Sequence, residues 1–81
     1  IPSRARKKFA TSLTEKLDHY KSELLLNVGE KEAYKELYDE FPELVTEINN
    51  QYNQAKDTNI KILGKIKAIE SLINQEKQQS T

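Results

Sequence analysis

Eighty-one residues, 36% hydrophobic and 32% charged with thirteen acids against thirteen bases, allow one domain and give no overall charge that would draw nucleic acid or anionic lipid. The absence of cysteine excludes disulfides, thiolate chemistry and cysteine-ligated metal. No run approaches the roughly 18 apolar residues of a membrane span, and the first residues lack the apolar stretch of a secretory signal. The chain therefore reads as intracellular, cytoplasmic or nuclear, with no membrane partner. Opening at Ile1 with no methionine anywhere, it also reads as a processed product, a subunit or a fragment of something longer.

Two glycines and two prolines in the whole sequence favour long helices. Pro2 and Ser3 suit a helix start, because the fixed φ of proline fits the first turn and its missing N–H is unused there. A first helix is predicted over about 3–28. Its apolar residues Ala10, Leu13, Leu17, Tyr20 and Leu24 alternate spacings of three and four, the seam spacing of a coiled coil.

Gly29 and the polar run Glu30, Lys31, Glu32 interrupt that stripe, so a break or kink is expected there. Ala33, Tyr34, Leu37, Tyr38 and Phe41 resume a helical spacing and predict a short second helix over about 31–40. Pro42 ends it, since the residue before a proline is pushed out of the α region.

A third helix is predicted over about 42–78. With Val45 at position a, the a series reads Val45, Tyr52, Asn59, Ile66, Ile73 and the d series Ile48, Ala55, Ile62, Ile69, Glu76. Five heptads in one register form the strongest pattern in the chain. Asn59 is polar where the pattern wants an apolar residue. Either it fixes the register, as a lone asparagine at position a does, or the helix rotates there and Ile60 or Leu63 turns inward.

The fold class is all-α, and the domain is single, 1–81. The first two segments together match the third in length, which favours an antiparallel, coiled-coil-like hairpin of a kinked arm against one long helix. Its turn falls near Asp39–Pro42, pairing residues whose numbers sum to roughly 83, as in a tight αα-hairpin. A compact three-helix bundle, with a true loop at Gly29, is the alternative.

One seam does not use all the apolar residues. Leu25, Leu26, Val28, Leu44, Ile60, Leu63 and Leu72 fall outside it, and each leucine-sized side chain gains about 1.5–3 kcal/mol on burial. These seven mark a partner interface for protein helices, from a second copy or another subunit. The expected function is therefore a non-enzymatic interaction or assembly module, an oligomer or a complex subunit.

The basic cluster Arg4, Arg6, Lys7 and Lys8 carries the alternative, a nucleic-acid-associated regulator contacting phosphates. Seven acids from Glu30 to Glu47, against Lys31 and Lys35, lack the ligand spacing of a calcium loop, and no Glu-x-x-His pair is present for a bundle metal site. His19 stands beside Asp18, but helix neighbours point apart, so no catalytic pair forms. The four tyrosines suit half-buried packing; Tyr34 and Tyr38 lie among acids, unlike base-stacking aromatics. No catalytic residue, metal site or cofactor is expected.

Overall fold

The computed structural model describes the backbone of residues 2–79 and the side chains of residues 9–76. Helix α1 runs Pro2–Glu40, a single 3₁₀ turn covers Pro42–Leu44, and helix α2 runs Val45–Gln79. The two helices lie antiparallel in an all-α hairpin, 62 Å long and 14 Å across on Cα atoms. Its radius of gyration of 18.3 Å compares with about 12 Å for a compact chain of this length. That elongation excludes the three-helix bundle.

The turn follows from Pro42. Phe41 is held out of the α region, at φ −128° and ψ 71°, by the proline ring behind it. Its N–H still donates to the Leu37 carbonyl at 2.8 Å, and the Leu44 N–H donates to the Phe41 carbonyl at 3.0 Å. Glu43 and Glu47 stand in the first turns that follow, where the helix dipole favours negative charge.

The expected break at Gly29 is absent: α1 is one helix through that position, not a kinked arm of two segments. Gly29 points into open space, with nothing within 4 Å of where a Cβ would stand, and its φ is negative. A helical glycine costs about 1 kcal/mol relative to alanine, which a helix packed along its length can absorb. The seam does not lapse there either. Asn27 is buried and Lys31 half-buried, so two polar residues occupy the positions where apolar ones were sought.

The core lies along α2 as the heptads predict. Ile48, Ala55, Ile62, Ile66 and Ile69 are buried, while Val45, Tyr52, Asn59, Ile73 and Glu76 are half-buried. From α1, Ala10, Leu13, Leu17, Tyr20, Leu24, Tyr34 and Leu37 are half-buried. Of the stripe proposed for residues 33–41, only Tyr34 and Leu37 turn inward; Ala33, Tyr38 and Phe41 are exposed.

Candidate interaction surface

Three contacts across the seam set the antiparallel register close to the expected one. Lys31 Nζ lies 5.9 Å from the Tyr52 ring centroid, and Lys65 Nζ 5.5 Å from that of Tyr20. Between them the Asn59 side-chain amide donates to Asn27 Oδ1 at 2.8 Å. Asn27 in turn donates through Nδ2 to the Ala55 carbonyl at 2.9 Å. Asn27 is only 5% exposed, and burial of an amide at this depth requires such partners. Asn59 therefore faces the seam. The rotated alternative fails, because Ile60 and Leu63 are 61% and 47% exposed.

Lys31 is half-buried with its Nζ over the Tyr52 ring, as a long side chain with an apolar stem and a charged tip allows. Lys16 Nζ also sits 5.7 Å from the Tyr20 centroid. Aromatic rings at the seam edges thus hold lysines from both helices, each contact worth about 0.5–1 kcal/mol at an exposed site.

The seven residues expected at a partner interface are all exposed, but the structure does not bring them together on one side. Glu23, Leu26 and Glu30 line one hollow with Thr58, Lys61 and Lys65, so Leu26 belongs to the same face as Lys65 and, two turns further on, Leu72. Lys35 and Asn49 line a second hollow with Tyr34, Tyr38, Ile48 and Tyr52. Val28 stands two turns before Lys35 on α1, and Leu63 four turns after Asn49 on α2, at the 3.5-residue period of a supercoiled helix. Leu25 and Ile60 are each three residues before these, hence on the same side. Leu25, Val28, Ile60 and Leu63 form one apolar face near mid-length; Leu26 and Leu72 lie on the opposite face, and Leu44 at the turn.

Phe9, Tyr38 and Phe41 are also exposed, at 62%, 46% and 42%, and were absent from the expected set. Phe9 immediately precedes the seam residue Ala10, which places it at the flank of the stripe. The 33–41 stripe predicts Tyr38 and Phe41 inward, whereas the structure leaves both outside the seam.

The remaining charged groups are ordinary surface. His19 Nε2 pairs with Glu23 one turn on, at 3.0 Å. Tyr34 donates its hydroxyl to Glu30 Oε1 at 3.0 Å; this bond, with desolvation and the negative charge of Glu30 adding to it, holds its phenol above the usual pKa. Among the described residues, no three His, Cys, Asp or Glu side chains gather as a metal set, and no helix is long and apolar enough to cross a membrane. The side chains of Arg4, Arg6, Lys7 and Lys8 lie outside the described residues.

Two long helices closed by one short turn and packed along a single heptad seam define a bi-helical coiled-coil domain. Residues 11–79 match the family model for the VspR C-terminal bi-helical domain, and the chain belongs to that family. No curated protein and no solved structure matches it.

Proposed function

We propose that this hairpin is a non-enzymatic interaction module that binds protein helices, from a second copy or from another subunit of a larger assembly. The observation that carries the reading is the distribution of apolar side chains. Ten large ones among the described residues are exposed, and no described side chain is wholly buried. Scattered surface leucines need no explanation in a larger protein. In a hairpin with one narrow seam, however, they leave more apolar area outside than one layer of helices can cover, and a further layer would bury it. The family description, a C-terminal domain of two helices, fits a module carried at the end of a longer polypeptide.

Photo-cross-linking tests the reading. A benzophenone side chain placed singly at Leu26, Ile60 or Leu72 should give adducts of defined mass in cells, either with the same chain or with another polypeptide. Failure of all three positions to give any adduct would remove the interaction reading.

A further inference from the structure

The face carrying Leu25, Val28, Ile60 and Leu63 has a position and a charge setting that select one occupant. Leu25 is 74% and Ile60 61% exposed, and each stands midway between the turn and the seam's far end, at Ala10 on α1 and Glu76 on α2. An apolar patch at mid-length meets itself across a two-fold axis perpendicular to the hairpin, because each copy then presents the same patch to the other. Such an axis sets the two copies antiparallel over their full length.

Charge supports that orientation. The half of the hairpin toward the turn, residues 25–60, holds eight acids and three bases; the remaining residues hold ten bases and five acids. By sequence, the turn half is thus negative by five charges and the two end segments together positive by five, an excess that Arg4, Arg6, Lys7, Lys8 and Lys77 supply. Two copies side by side in the same direction would set like ends together. Antiparallel copies bring the acidic end of one against the basic end of the other, the complementarity that orients an interface.

Size agrees as well. Four side chains alone fall short of a stable interface, which takes about 800 Å² from each partner. A hairpin 62 Å long and 14 Å wide reaches that order of footprint only when a partner of the same length lies along all of it. We infer that this face, centred on Leu25 and Ile60, pairs with the same face of a second copy in an antiparallel, two-fold four-helix assembly. The inference rests on the interaction-module reading and names its partner.

Sedimentation equilibrium of the 81-residue chain should give twice its 9.4 kDa mass. Leu25→Glu with Ile60→Glu should return it to a monomer with helical circular dichroism retained, and Leu26→Glu with Leu72→Glu should leave the dimer intact. The chain has no thiol of its own, so a single cysteine reports orientation: Leu25→Cys at the axis should oxidise to a linked pair, and Glu43→Cys at the turn should not. A monomer at all concentrations, a dimer untouched by the first double variant, or linkage through residue 43 overturns the inference. Should that double variant lose its helicity, the two cysteine variants decide alone. Adducts with another polypeptide from a monomeric chain sink the two-copy inference and leave the module reading standing; no adducts at all sink both.

Discussion

Asn27 on α1 joins two points of α2 one helical turn apart, accepting from the Asn59 amide at 2.8 Å and donating to the Ala55 carbonyl at 2.9 Å. Since Ala55 and Asn59 are four residues apart, this carbonyl is the one that the Asn59 backbone N–H already uses within the helix. Its second lone pair takes the Asn27 proton. Sliding α1 by one residue would break both bonds and leave two amides without partners, so the pair fixes the register of the hairpin. Asn27→Ala should destabilise by about 1–3 kcal/mol, the cost of an unsatisfied buried group. Denaturant melts of Asn27→Ala, Asn59→Ala and the double variant should show strong coupling; additive losses would mean that the bond does not form in solution.

Replacing both asparagines by leucine should act in the opposite sense. A polar layer lowers stability while specifying register and oligomer state. Asn27→Leu with Asn59→Leu should raise Tm, and sedimentation should then show a broader range of assemblies than the parent chain. A lower Tm, or an unchanged assembly with unchanged Tm, would contradict this role.

Gly29 gives a test of helix continuity. Its exposed position, negative φ and open surroundings accommodate alanine without strain, so Gly29→Ala should stabilise by roughly 0.5–1 kcal/mol. Were there a true break requiring glycine, the same change would lower Tm. Thermal melts at one protein concentration distinguish the two.

That position also shows where sequence reading stops. In α2 each a and d residue from Val45 to Glu76 is buried or half-buried, because apolar side chains at a constant period leave one packing solution. In α1 the same period passes through Asn27 and Lys31, and a pattern defined by apolarity cannot see it. Their place in the seam depends on partners across it, Asn59 and Tyr52, which the sequence of one helix does not display. The excess of apolar residues outside the seam was legible. Its division into two faces was not, since which side Leu25 or Leu26 shares with α2 depends on the register that the asparagines set.

Tyr34 links the fold to alkaline pH. Its phenol titrates above the ordinary tyrosine value because it donates to Glu30. A group whose pKa is raised on folding contributes stability fully present below its unfolded value, about 10 for tyrosine, and lost as pH climbs through the folded value. The difference between the ultraviolet titrations of the parent chain and Tyr34→Phe should therefore have its midpoint above that of free tyrosine. A midpoint at or below it would show that the Tyr34–Glu30 bond is not populated.

The heptad register itself is tested at Ile66, which is 8% exposed in the isoleucine-rich half of α2. Truncating a buried isoleucine to alanine removes its transfer energy and leaves a cavity, together about 2–5 kcal/mol. Lys65, next to it, is exposed, with its Nζ 5.5 Å from the Tyr20 ring centroid. Losing that contact should cost no more than about 1 kcal/mol. Ile66→Ala should therefore unfold or dissociate the protein under conditions where Lys65→Ala melts close to the parent. A register shifted by one residue would bury Lys65 or Lys67 in place of Ile66 and abolish the contrast. Equal melting temperatures for the two variants at one protein concentration would show that the isoleucine seam is not the core.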